Sequence, residues 1–254
     1  MRPMLTLIRR EFTAYFLSPI AYVVMVTLLC VTGYRFFTTT AMLAETGPRG
    51  VEYPMQYFLG DQWFWLIFLL IPPLLTMRLF AEERGSGTLE MLLTAPVRDW
   101  EGVVAKYLAC FAFYIVVWLP TLLYLPVLLN VDWQTGHARI EPWPVWTSYL
   151  GLALSAAMFL AVGLFVSSLV RSQMVAALIS LVLSLAFVIE TFWRPEMETD
   201  SLRYRLLYFF SVPLHFQRDF ARGQIDSRNL ILYGSVTLFC LFLTVRSIES
   251  RRWR

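Results

Sequence analysis

Residues able to do chemistry are scarce in this sequence. It holds a single lysine, Lys106, in the run Gly102-Val103-Val104-Ala105-Lys106-Tyr107. A nucleotide-binding P-loop needs glycines followed by Lys and then Ser or Thr, because the lysine reaches the β- and γ-phosphates. Neither the spacing nor the neighbours of Lys106 fit. Gly85-Ser86-Gly87-Thr88 is glycine-rich but carries no lysine, so it is no phosphate cradle. There is no HExxH pair, no GxSxG elbow and no carboxylate pair within an apolar stretch; Glu190 comes nearest, at the end of one. His137 and His215 fall in different loops. Cys30, Cys110 and Cys240 sit in separate apolar stretches, at no spacing that suits zinc or a disulfide framework. They read as small packing residues. No catalytic residue, metal site or cofactor is expected in this chain.

The elements that carry these residues are set by composition. Of 254 residues, 58% are hydrophobic and 15% charged, with a mean hydropathy of +0.60. Soluble domains are about 45–50% apolar and about 25% charged. Six intervals lack any charge: 23 residues between Glu11 and Arg35, 16 between Asp61 and Arg78, 25 between Lys106 and Asp132, 29 between Glu141 and Arg171, 18 between Arg171 and Glu190, and 17 between Arg228 and Arg246. A membrane-spanning helix needs about 20 apolar residues. The reading is an all-α integral membrane protein with six transmembrane helices, at 19–37, 61–80, 103–129, 145–170, 173–192 and 228–247. Barrel strands would alternate apolar and polar residues, whereas Ile20–Cys30 and Leu152–Val166 are apolar on every side. Arg78 and Arg246 are expected to snorkel to the interface.

Orientation follows from the basic residues. With the N-terminus inside, twelve fall on the cytoplasmic side and nine outside, six of the nine in the single loop 190–228. The positive-inside rule therefore places both termini in the cytoplasm.

The flanking segments carry patterns of their own. In 3–17, Leu5, Ile8, Phe12 and Phe16 recur at helical spacing, with Arg9, Arg10 and Glu11 off that stripe. This predicts an amphipathic helix lying in the membrane interface, or a basic anchor that sets topology, ended by Ser18-Pro19. Charges at Arg9, Arg10 and Glu11 argue against a secretory leader. The outer segment 38–61 is turn-rich at Gly47-Pro48 and Gly50. Trp133, Trp143 and Trp146 mark a membrane–water boundary. The segment 200–223 predicts outer-side interfacial or re-entrant helices, ended by Gly223, with Phe209, Phe210, His215, Phe216, Phe220 and Gly223 as candidates for an outer gate. Pro72-Pro73 in the second span reads as a helix break or a packed kink.

The inner segment 82–96 is the most informative. Gly85-Ser86-Gly87 interrupts the helix leaving the membrane, Ser86 or Thr88 can cap a new one, and Pro96 stops it. Leu89, Leu92 and Leu93 form one stripe, with Glu90 elsewhere. Arg78 to Glu101 holds five acids against three arginines. Acids are repelled by an anionic leaflet, so the short helix is better suited to a groove on a soluble partner.

The run from Met77 through Arg78, Glu82, Glu83, Arg84, Gly85, Ser86, Gly87, Thr88, Leu89, Glu90, Met91, Leu92, Leu93 and Thr94 to Pro96 closely resembles the cytoplasmic motif of the ABC-2 family of transporter permeases. His215-Phe216-Gln217-Arg218-Asp219-Phe220-Ala221-Arg222-Gly223-Gln224-Ile225-Asp226 is similar to its gliding-motility-associated (GldF-like) branch. The resemblance implies a permease subunit of the bacterial inner membrane that dimerises with a second permease chain, identical or related. It implies a coupling helix in 82–96 that docks on a separate ABC ATPase, two copies per transporter, where ATP and Mg are bound. A periplasmic accessory protein and the lipid bilayer are further expected partners; nucleic acid is not. The alternatives are a self-sufficient channel or secondary carrier, which would favour an ionisable residue near the midplane, and a scaffold without transport. Small residues four apart on the fourth span, among them Gly151, Ser155, Gly163 and Ser167, allow close helix approach within one chain or between two.

Overall fold

Ser18-Pro19 divides the first two helices. In the computed structural model, which describes residues 2–46, 53–87, 98–126, 141–189 and 208–252, α1 (Arg2–Phe16) ends before this pair and α2 (Pro19–Thr46) begins on its proline. A helix start is where proline's missing N–H costs nothing. The chain continues as α3 (Pro54–Leu59), α4 (Gln62–Gly85), α5 (Asp99–Trp118) with a 3₁₀ extension Leu119–Leu123, α6 (Trp143–Leu169), α7 (Gln173–Leu185), α8 (Val212–Arg218) with a 3₁₀ turn Phe220–Arg222, and α9 (Ser227–Arg252). Among the described residues no strand occurs.

Five helical stretches are long and apolar enough to cross a membrane: Pro19–Glu45, Gln62–Gly85, Asp99–Pro126, Trp143–Leu169 and Ser227–Ser250. They overlap five of the six stretches expected as spans, with different ends. The stretch expected at 173–192 differs. α7 has 13 residues, about 20 Å at 1.5 Å per residue, against a hydrocarbon core of about 30 Å. Beyond Leu185 the chain tightens: Phe187 N–H donates to the Ser184 carbonyl at 3.1 Å, and Val188 N–H to Leu185 at 3.0 Å. The Phe187 carbonyl then accepts from Val212 N–H at 3.0 Å. The short helix is thus met by α8, whose Val212, Pro213, Leu214, His215 and Phe216 are all buried.

The segment expected as a turn-rich loop from 38 is helical to Thr46. Thr38 and Thr39 hydroxyls donate to the Arg35 carbonyl at 3.0 and 2.8 Å, and Thr40 to Phe37 at 2.9 Å, so these polar side chains are satisfied by their own helix. Leu43 is buried and anchors the extra turns. α3 adds a further helix, started by Pro54 and seated on Met55, Phe58 and Leu59. Gly47-Pro48 and Gly50 lie outside the described residues.

α6 is the central helix, packed against α4, α7 and α9, and its small residues explain why. A Cβ on Gly163 would overlap the Thr76 hydroxyl and stand 3.0 Å from the Thr76 Cβ. One on Gly151 would stand 2.6 Å from Phe220 Cγ. Ser167 Oγ accepts from Phe80 and Ala81 N–H, both at 3.1 Å, and donates to the Met77 carbonyl at 3.1 Å. These small residues pack within the chain. α4 runs unbroken through Pro72 and Pro73, with the Thr76 hydroxyl donating to the Pro72 carbonyl at 2.8 Å.

Candidate functional site

The lone lysine stands at the centre of the α1 end of the bundle. Lys106 is 1% exposed, although an ammonium is costly to bury unless paired. Its Nζ donates to Glu83 Oε1 at 2.7 Å and lies 3.4 Å from Glu11 Oε1. Phe80 adds its ring face at 5.4 Å. The three charged groups come from α1, α4 and α5, so one cation joins three helices. Burial alone would raise the Glu11 carboxyl, but Lys106 and Arg10 outweigh it and hold the group below its ordinary value of 4.5. Arg10 Nη2 bonds Glu11 Oε1 at 2.9 Å.

Sequence patterning missed this cluster. Lys106 fails every nucleotide motif, yet a solitary lysine at the mouth of an apolar run was itself a signal that a carboxylate must meet it. Beside it lies a cavity of about 330 Å³, bounded by Glu11, Tyr15, Arg78, Glu82, Glu83 and Lys106.

α1 is held by a residue outside its expected apolar stripe. Tyr15, 2% exposed, stacks on Phe113 of α5 with ring centroids 4.8 Å apart, and its hydroxyl donates to the Leu75 carbonyl of α4 at 3.0 Å. Arg78 lies 4.8 Å over the Tyr15 ring, and its Nη2 donates to the Ala14 carbonyl at 3.4 Å. Of the expected stripe, Leu5 and Phe16 are exposed, while Ile8 and Phe12 are half-buried. Arg9 and Arg10 are exposed. The helix is therefore docked on the bundle by Tyr15, by Phe16, whose ring meets Phe113 edge-on at 5.3 Å, by Phe12 packed against the core, and by the Glu11–Lys106 ion pair.

Of the segment 82–96, the structure places Glu82, Glu83, Arg84 and Gly85 in the last turn of α4, and Ser86 and Gly87 in the turn that ends it. Glu83 faces inward to Lys106. Arg84 Nη1 donates to the Ser168 carbonyl at 3.0 Å, across to α6. A Cβ on Gly85 would stand 2.9 Å from the Arg171 carbonyl, so the α4 terminus rests on the α6–α7 turn. Ser86 Oγ donates back to the Glu82 carbonyl at 2.9 Å, and Gly87 has φ +76° with open space around it. Thr88, Leu89, Glu90, Leu92, Leu93 and Pro96 lie outside the described residues. On the far side, α5 starts at Asp99, and Glu101 Oε2 accepts the Arg98 N–H at 3.2 Å. Both ends of the intervening stretch are thus anchored.

At the opposite end the expected gate residues separate into two sets. Phe209 and Phe210 are exposed, whereas His215, Phe216 and Phe220 are buried. His215 Nδ1 pairs with the Tyr233 hydroxyl at 3.2 Å. Asp219 Oδ2 accepts from Asn229 Nδ2 at 2.6 Å and Tyr208 hydroxyl at 3.1 Å. The Thr147 hydroxyl donates to the Phe220 carbonyl at 2.6 Å. Gly223, φ +82°, ends the turn against Trp143, whose Nε1 donates to the Gly223 carbonyl at 2.8 Å. The buried set locks α8 to α6 and α9.

Among the described residues no group of three or more His, Cys, Asp or Glu side chains is placed to hold a metal ion. No curated protein matches this sequence. The family model for ABC-2 family transporter proteins matches residues 39–214, more than two thirds of the chain. Members of that family associate with an ABC ATPase, which supplies the hydrolytic activity. With its several apolar helices, the chain belongs to the ABC-2 transporter family as a multi-pass membrane permease of an ABC transporter.

Proposed function

We propose that this chain is the transmembrane subunit of an ABC exporter that couples ATP hydrolysis in a separate ATPase to movement of its own spans. Two permease chains, identical or related, pair in the bacterial inner membrane with both termini cytoplasmic. Each docks on one of two ATPase copies through 82–96, and ATP and Mg are bound by the ATPase. The sixth crossing is made by α7 together with the outer helices. The similarity of 215–226 to the gliding-motility-associated branch fits either export or transmission of work to a periplasmic accessory protein.

The observation that carries this reading is the joint at Lys106. A push on 88–97 acts on the end of α4 and the start of α5, the two helices that flank it. Glu83 and Lys106 bind those helix ends to each other, and Glu11 brings α1 into the same unit. Force applied at the docking segment would therefore move three helices as one body, while Ser167 ties α4 to the central helix. A scaffold has no need of such a joint. A self-sufficient carrier would be expected to place its ionisable residue near the midplane, whereas Lys106 stands at the start of its helix.

The test is purification from native membranes in mild detergent, with identification of co-purifying chains and an ATPase assay. A stoichiometric P-loop ATPase whose hydrolysis responds to substitution of Lys106 supports the reading. A chain that purifies alone, without hydrolysis, overturns it.

A further inference from the structure

A second cavity, of about 460 Å³, opens at the other end of the molecule, where α2, α3, α4 and α8 meet. Its charged lining is Arg35, Arg218 and Arg222 against a single carboxylate, Asp61; the described lining thus carries three positive charges and one negative. Arg35 Nη1 lies 3.6 Å from Asp61 Oδ2, and Nη2 donates to the Tyr57 carbonyl. The Nε of the same guanidinium is buried without a hydrogen-bond partner among the described residues.

The cavity wall is built rather than incidental. Gln56 Nε2 donates to the Gln217 carbonyl at 2.6 Å, and Gln217 Nε2 returns a bond to the Gly60 carbonyl. A Cβ on Gly60 would stand 3.2 Å from Gln217 Cγ. α3 and α8 are clasped, and the guanidiniums of Arg218 and Arg222 are steadied over the Tyr208 and Tyr53 rings at 5.3 and 5.4 Å.

Trp63, Trp143 and Trp146 sit at the starts of α4 and α6, at this same end, and are all exposed. Exposed tryptophans of this kind settle at headgroup level. Guanidinium forks match phosphate oxygens in geometry and charge.

From the three arginines, their steadied guanidiniums and the interfacial level, we infer that this cavity is a binding site for a phosphate group, on the outer face and independent of the ATPase-coupling reading. The phosphate is carried by an anionic lipid headgroup or by a soluble solute.

The experiment uses the full chain in nanodiscs containing photoactivatable phosphatidylglycerol, with a photoactivatable phosphate-free galactolipid as control and inorganic phosphate as competitor. Phosphatidylglycerol should label peptides of α2, α3 or α8, and R218Q/R222Q should cut that labelling about tenfold or more, the effect of losing roughly 1.4 kcal/mol. D61N removes the opposing carboxylate and should raise labelling by phosphatidylglycerol but not by the galactolipid, whereas misfolding would change both alike. Labelling displaced by inorganic phosphate assigns the site to soluble phosphate groups; labelling that resists it assigns the site to lipid, and either supports the inference. Equal labelling by the galactolipid, or labelling unchanged in both variants, overturns it.

Discussion

Glu83 Oε1 and Lys106 Nζ, 2.7 Å apart, join the last turn of α4 to the first turns of α5 across the segment expected to meet the ATPase. The lysine side chain is 2% exposed and the glutamate 21%. Removing one member of such a pair strands the other in a poorly hydrated site, at a cost of about 3–5 kcal/mol. Lys106→Met should therefore lower the melting temperature in detergent by roughly 6–20 °C, taking about 2–4 °C per kcal/mol for a chain of this size. Glu83→Gln keeps an acceptor and should cost less, about 1–3 kcal/mol. Both should reduce ATP hydrolysis in the purified complex while the chain still inserts. Normal hydrolysis in both variants would remove the joint from the coupling path.

The same pair shows what could be read from the sequence and what could not. Uncharged intervals pointed to five helices long and apolar enough to cross a membrane, because span length is fixed by bilayer thickness, a constraint that acts on one segment at a time. Ser18-Pro19 marked the α1 boundary for the same local reason. Lys106 was visible, but its partners Glu11 and Glu83 lie on two other helices, and their meeting depends on packing. The shortness of α7 was hidden because an uncharged run cannot show where its helix ends, and the turn after Leu185 is fixed by the bond between Val212 N–H and the Phe187 carbonyl. Tyr15 was hidden because its role comes from Leu75 and Phe113, not from helical periodicity.

Gly163 of α6 packs against Thr76 of α4 with no room for a Cβ. Gly163→Ala forces the Thr76 side chain aside or the helices apart, and overpacking of this kind costs about 1–3 kcal/mol. Thr76→Ala in the same background should recover part of that loss, giving a coupling energy above about 0.5 kcal/mol in a double-mutant cycle. Thermal melts of the four proteins measure it. Strictly additive effects would place the strain elsewhere.

Glu11 gives a pH dependence whose sign is fixed by its lowered carboxyl. Between its lowered folded value and the unfolded value near 4.5, the unfolded chain binds more protons, so the contribution is fully present above about pH 4.5 and is lost as pH falls through the folded value. α1 should loosen from α5 in that acid window. Spin labels at the exposed Thr13 and at Leu108 would report it as a broadened distance distribution below pH 4.5. Glu11→Gln should flatten the response, and a wild-type distribution that stays narrow through the window would argue that the aromatic contacts of Phe12, Tyr15 and Phe16 seat the helix without the ion pair.

Gly87 and Gly223 share a left-handed backbone, φ +76° and +82°, in opposite surroundings. A Cβ at Gly87 meets nothing within 4 Å, whereas one at Gly223 would stand 2.9 Å from Trp143 Cδ1. An L-residue in this region costs about 1–2 kcal/mol, less for Asn. Gly87→Ala should therefore show backbone strain alone, and Gly87→Asn should be close to wild type in both melting and ATPase coupling. Gly223 should tolerate neither, because each adds a Cβ against the indole that holds the turn by its Nε1 bond. If Gly87→Asn melts normally yet loses coupling, the position is needed for contact with the ATPase; if it retains coupling, Gly87 serves only to turn the chain out of α4.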